Sequence, residues 1–458
     1  MKYVFFIVLG ALLAAACADA DDWPMFRCNP QHTGCNTGEM PERLQVLWRY
    51  KTSYSVVSSP AAVDGKVYIG VGKISRISLL CLAADTGEVI WMYEPEDAVI
   101  SSPAVCDGYV YCGSTDHHLY CLAADTGEVM WTYKALNRMG TPAVCDGYVY
   151  CGSLDDRLYC LTDTGELVWT YKTEGGVHLS APAICHGHVY CGSRDSHLYC
   201  LTDTGELVWT YKTESWIESS PAVCDGYVYF GSCDSYIYCF TDAGDLVWKY
   251  KTGKKVRSSP AVCDGYVYCG SDDGSIYCLA ADTGELKWRY RTIEEISSSP
   301  AVCDRYVYCG SGTGVIYCLS AATGDVVWKY ETGSKITASP AVADRFLYIG
   351  SWDTYIYCFG AGKTTLSIDS HPKASVHIND TYTGETPLHV TLENGTYTLK
   401  IEKENYAAYF EHITLSGEDK TVFIELKNPY RENILGIAIT IGFILLIISF
   451  VRRMRDRQ

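Results

Sequence analysis

From Trp48 to Phe359 the chain repeats one alternation of apolar and polar positions. A full unit reads Ser299-Pro300-Ala301-Val302-Cys303, Tyr306-Val307-Tyr308-Cys309-Gly310, Val315-Ile316-Tyr317-Cys318-Leu319 and then Thr323-Gly324-Asp325-Val326-Val327-Trp328. Short runs rich in Val, Ile and Tyr, bounded by turn residues, predict four strands, A to D. In most units the A-B link is Asp-Gly, as at Asp264-Gly265, a strong hairpin signal. Trp48, Trp91, Trp131, Trp169, Trp209, Trp248, Trp288 and Trp328 follow one another at 43, 40, 38, 40, 39, 40 and 40 residues. Pro60, Pro103, Pro142, Pro182, Pro221, Pro260, Pro300 and Pro340 keep the same beat. Four strands in about 40 residues make a propeller blade.

The two series are offset. The strand around Trp48 precedes the first Pro strand, whereas the last unit, Pro340 to Phe359, ends without a Trp strand. The N-terminal strand is therefore expected to complete the last blade, closing eight blades and leaving no long free edge. The fold class expected is all-β: an eight-bladed β-propeller over 21–362, then a small β-sandwich over 363–428 and one C-terminal transmembrane helix.

Both ends predict a compartment. Lys2, the apolar run Tyr3 to Ala16 and Ala18-Asp19-Ala20 read as a signal peptide over 1–20; Cys17 loosely suggests a lipidation site instead. Ile434 to Val451 is an uncharged apolar stretch that as a helix just crosses a bilayer, and Arg452, Arg453, Arg455 and Arg457 follow it. The basic tail 452–458 is expected in the cytoplasm and the body outside, at the cell surface or in the periplasm.

Composition narrows the partners. Lys+Arg 37 against Asp+Glu 54 gives a net charge of -17, which repels phosphate backbones and argues against nucleic acid. The 59 aromatics (Tyr 37, Trp 11, Phe 11) and 40 glycines favour strands and tight turns.

Ala84-Asp85-Thr86-Gly87-Glu88-Val89-Ile90-Trp91 with its relatives in each blade, and the lead-in Trp23-Pro24-Met25-Phe26 with Asn29-Pro30-Gln31-His32-Thr33-Gly34, resemble the pyrroloquinoline-quinone-type propeller repeat, most closely its BamB-like members. The resemblance covers about residues 23 to 360. It implies either a quinone-dependent dehydrogenase or a non-catalytic propeller that holds partner proteins, and fold does not choose between them. Leu366 to Leu399, with Pro372-Lys373-Ala374 in place of the full motif, resembles a PEGA domain, which implies a spacer or wall-proximal module. Asn379-Asp380-Thr381 and Asn394-Gly395-Thr396 are glycosylation sequons.

Family dehydrogenases need pyrroloquinoline quinone, calcium and a carboxylate base, and commonly stack the quinone on a disulfide between adjacent cysteines. No Cys-Cys pair exists here, no blade carries a long insert, and the Cys-x-x-Cys-His of haem attachment is absent. No catalytic residue, cofactor or metal is expected; quinone with calcium belongs to the dehydrogenase alternative. The 23 cysteines fall in register with the repeat. If each B-C turn is a two-residue hairpin, Cys112 lies opposite Cys121, Cys151 opposite Cys160, Cys191 opposite Cys200, Cys269 opposite Cys278 and Cys309 opposite Cys318. These are five cross-strand disulfides or, alternatively, buried thiols used as small apolar residues. His117-His118 and His186-x-His188 lack a third metal ligand and read as turn residues. The blade Trp reads as a packing wedge between blades.

Strands alternate direction, so D-A and B-C connections share one face. The A-B and C-D turns on the other face are monotonous, whereas the D-A connections differ in every blade. Loops free to differ on a rigid scaffold can carry recognition. Arg138, His178, Trp216, Glu218, Arg257 and Glu294 are the candidate binding residues, with Trp216 the anchor by residue type. The expected function is a membrane-anchored, non-catalytic scaffold that binds a protein or envelope component; the alternatives are a quinoprotein dehydrogenase and a structural surface protein contacting wall or surface layer.

Overall fold

In the repeated Asp-Gly links both residues sit in the left-handed region, Asp107 at φ 50° and Gly108 at φ 79°, as a tight two-residue hairpin requires. Strands A and B are thus joined the same way in blade after blade. The computed structural model describes residues 22–428 except 42, 74, 75 and 416–418. The expected leader, Cys17, the apolar stretch 434–451 and the basic tail lie outside the described residues. Among the described residues no helix is long and apolar enough to cross a membrane.

The chain divides into two units at Gly360/Ala361. In the first, eight sheets of four antiparallel strands follow one per repeat, the seventh widened to five by a short strand of the lead segment. The seam is made by Gln45–Lys51, which pairs with Tyr355–Gly360 and sets Trp48 opposite Cys358. The blade Trp indole donates to a carbonyl in the next blade: Trp48 to Ala84, Trp91 to Ala124, Trp131 to Asp163, and so on to Trp288 with Ala321. Trp328 breaks the series, its buried Nε1 having no partner. The eighth blade borrows its D strand from the N-terminus, so it has no chain-continuous C-D turn to offer a carbonyl.

The cysteine register expected from the sequence is corrected here. The B-C turn of blade 6 is a three-residue loop, 272–274, with Ser271 opposite Ser275, so Cys269 faces Tyr277 and Cys278 faces Tyr268. Gly274 takes the left-handed position that closes such a loop. One residue more in the turn shifts the register by one and sends the two cysteines to opposite faces of the sheet. Cys112, Cys151, Cys191 and Cys309 likewise face Tyr120, Tyr159, Tyr199 and Tyr317 rather than Cys121, Cys160, Cys200 and Cys318. All ten are buried free thiols. They pack between blades: Cys81 of blade 1 shares a cluster with Cys112 of blade 2, and Cys121 with Cys151.

The lead segment 22–36 is threaded along the inner strands. Carbonyls of Pro24, Pro30, Gln31, Thr33 and Gly34 accept the N–H groups of Val105, Ile184, Val223, Val262 and Val302 in five blades. Cys35–Asn36 adds a short parallel strand to Ala301–Cys303. A disulfide joins Cys35 to Cys263, their Cα atoms 5.8 Å apart. Arg27, buried, donates to the carbonyls of Pro260 and Pro300.

The second unit is a β-sandwich. Leu388–Glu393, Lys363–His371 and Lys420–Glu425 form one sheet; Thr381–Glu385, Ser375–Ile378, Gly395–Glu402 and Tyr409–Leu415 form the other. Leu366, Ile368, Val376, Leu399, Ile401 and Ile413 fill the space between. Asn379 is exposed in a turn, its side-chain oxygen accepting the Thr398 N–H, and Asn394 is half-buried against Thr364.

Candidate functional site

The two residues before each blade Pro position the site. Where the first is Ser, it ties its own blade together: Ser58, Ser101, Ser180, Ser219, Ser258 and Ser298 accept the N–H of Gly70, Gly113, Gly192, Gly231, Gly270 and Gly310 in strand B. The second ties blade to blade. The N–H groups of Ser59, Ser102, Ala181, Ser220, Ser259, Ser299 and Ser339 donate to the hydroxyls of Ser102, Thr141, Ser220, Ser259, Ser299, Ser339 and Ser59 at 2.8–3.1 Å. The bonds run round the whole ring and stop only where Ala181 offers no hydroxyl to Thr141. A buried N–H without an acceptor is costly, which is why a hydroxyl recurs there.

These hydroxyls line a cavity of about 250 Å³ on the face where the D-A connections emerge. Phe26 of the lead segment contributes to its lining from the inside of the ring; its own ring meets His32 edge-on, centroids 5.9 Å apart. Val57, Ile100 and Leu179 give the lining an apolar part, and His178, Glu218 and Arg257 a polar one. Around them charges run from blade to blade. Arg138 contacts the His178 imidazole, Arg194 pairs with Glu218 at 2.9 Å, and Arg257 pairs with Asp272 at 3.0 Å and Glu295 at 3.3 Å. Burial first, then Arg138 and Arg194, push His178 down to about 3, so it stands neutral. Burial opposes the charge on Arg257, but Asp272, Glu295 and Glu218 outweigh it and hold the guanidinium above its ordinary value.

Of the six candidate binding residues, His178, Glu218 and Arg257 line the cavity. Arg138 backs His178. Trp216 is 48% exposed, with the Arg194 guanidinium 5.1 Å from its ring centroid. Glu294 is exposed and off the cavity lining, while its neighbour Glu295 meets Arg257. Sequence reasoning missed Phe26, Arg194, Asp272, Glu295 and the hydroxyl ring. Two signals were present: the Ser-Ser-Pro triplets, and the B-C turns carrying Arg194 and Asp272, which emerge on the same face as the D-A loops. Nothing foretold Phe26, since only threading brings the lead segment there. Among the described residues no three His, Cys, Asp or Glu side chains gather as a metal site would need. His118 instead rests its Nδ1 3.1 Å from Asp116.

The family profile for outer membrane protein assembly factor BamB matches residues 45–141, 135–217, 202–300 and 292–371, and the PEGA domain profile matches 363–429. No curated protein sequence matches the chain. Among solved structures the chain is similar to BamB from Moraxella catarrhalis, at 20% identity over 69% of this chain and 98% of that one, TM-score 0.60. It is also similar to a europium-containing methanol dehydrogenase (14% identity, 75% and 98% covered, TM-score 0.65). A third is the quinohemoprotein alcohol dehydrogenase from Comamonas testosteroni (15%, 75% and 81%, TM-score 0.63). At these identities the likeness carries the fold alone.

Proposed function

We propose that this chain, which belongs to the outer membrane protein assembly factor BamB family, is a non-catalytic docking scaffold of the cell envelope, held at the membrane by 434–451 and presenting its D-A face to a partner. The observation that carries this reading is the contrast between faces. The A-B and C-D turns repeat one sequence, whereas the D-A face gathers the residues that differ from blade to blade, the charged run from Arg138 to Glu295 and the half-exposed Trp216. Varied loops on a rigid ring suit recognition.

The dehydrogenase alternative would need residues that hold quinone and calcium. The donor set does not fit that pair: the sequence has no adjacent cysteines, and the described residues hold no cluster of three metal-ligating side chains. The lining is instead hydroxyl-rich.

The test is cross-linking in whole cells followed by mass spectrometry. Trp216→Ala combined with Arg257→Glu is expected to abolish cross-links from the D-A face in protein that still folds, with the melting temperature lowered where the new carboxylate meets Asp272 and Glu295. Undiminished cross-linking by the folded variant, or cross-links confined to the A-B face, overturns the assignment.

A further inference from the structure

We propose that the hydroxyl-lined cavity is a saccharide site that takes one pyranose ring. This rests on the D-A face being the recognition face and names the chemistry recognised there. The first observation is a surplus of donors. Each hydroxyl of the ring accepts one backbone N–H, and among the described residues no acceptor receives its own proton. A circle of O–H groups converging on one small cavity calls for a ligand with acceptors all round its edge. A pyranose carries such an edge, and its hydroxyls also donate.

The second observation is the mixture on the walls. Glu218 supplies an acceptor and Arg257 a donor, each already held by its own ion pair, so the pair is fixed in place without net charge to spare for an anion. Phe26, with Val57, Ile100 and Leu179, gives an apolar surface for the C–H face of a sugar. A bare anion would leave that apolar surface unused, and an apolar ligand would strand the hydroxyls. About 250 Å³ admits a single sugar ring, not a folded polypeptide element.

The ring could come from a free monosaccharide or from the end of a glycan chain. The full chain, in a detergent without sugar groups, is titrated calorimetrically with glucose, galactose, mannose, N-acetylglucosamine and a tetrasaccharide of each. At least one series is expected to bind with Kd of about 1 mM or tighter. Phe26→Leu and Glu218→Gln should each weaken it about tenfold. Melting temperature is recorded for both, and should one variant fail to fold the other decides. A tetrasaccharide that binds tighter than its monosaccharide identifies a glycan end; equal affinities identify the free sugar. No binding by any probe, or binding that both folded variants leave unchanged, overturns the proposal. Should cross-links from the D-A face still depend on Trp216 and Arg257 in that case, the saccharide site falls and the docking scaffold stands; should the folded Trp216→Ala/Arg257→Glu variant cross-link undiminished as well, both fall.

Discussion

Gly165 turns between strands C and D of blade 3 at φ +88°, and a β-carbon there would lie 2.6 Å from the Trp131 ring. The Asp-Thr-Gly turn is thus the socket for the preceding blade's Trp as well as a reversal of the chain. Gly165→Ala is expected to lower the melting temperature, at a cost above ~1 kcal/mol, because it pairs backbone strain with displacement of the indole. The cysteines make a second prediction at this scale. Cys224 is half-exposed, but burial first, then Asp225, pushes its thiol up to about 11. Its alkylation in the folded protein should be slow at pH 8 and climb with pH toward 11, since only the thiolate reacts. Cys269 and Cys278 should label only after unfolding, and reduction should not be needed. Fast labelling of Cys224 at pH 8, or resistance of the other two after denaturation, contradicts this picture.

The element that ties blade to blade is the circle of hydroxyl bonds. Ser259→Ala removes the acceptor for the Ser220 N–H and leaves that group buried, which costs about 1–3 kcal/mol. Ala181→Ser supplies the one missing hydroxyl opposite Thr141 and is expected to be neutral or to stabilise by up to about 1.5 kcal/mol. Thermal or denaturant unfolding should show a lowered midpoint for Ser259→Ala and an unchanged or raised one for Ala181→Ser; an unchanged midpoint in the first or a lowered one in the second refutes the ring as a stabilising circuit. The Ser-Ser-Pro triplets were legible as a repeat in the sequence. Their two jobs were not, because the acceptors and donors they meet lie in a different strand and a different blade.

For the whole molecule, acid is the weak direction. Burial first, then Arg27, pushes His32 down to about 3, and His178 is depressed to about the same value. Unfolded histidines bind protons near pH 6.5, so between there and 3 the unfolded state holds more protons and stability rises with pH. The melting temperature should therefore fall as pH drops from 6.5 toward 4 and be flat only between about pH 7 and 8, since above that range ionisation of the buried thiols favours the unfolded chain. His32→Gln, provided it folds, should flatten part of that slope; an unchanged slope in both His32→Gln and His178→Gln removes these groups as its cause.

Strand count, blade order and the borrowed D strand at the seam were determined by the sequence alone, since a Trp and a Pro series offset by one strand admit one closure. The differing D-A loops were equally legible, being variation within a single chain. Only the tertiary structure decided the cysteine register, where one extra turn residue sends Cys269 and Cys278 to opposite faces. It also decided the disulfide between Cys35 and Cys263, 228 residues apart, and the arrival of Phe26 at the cavity. Repetition specifies local hairpins because each is closed by its own turn residues. Contacts made when a non-repeating lead segment winds through a finished ring depend on every blade at once, and no local signal records them.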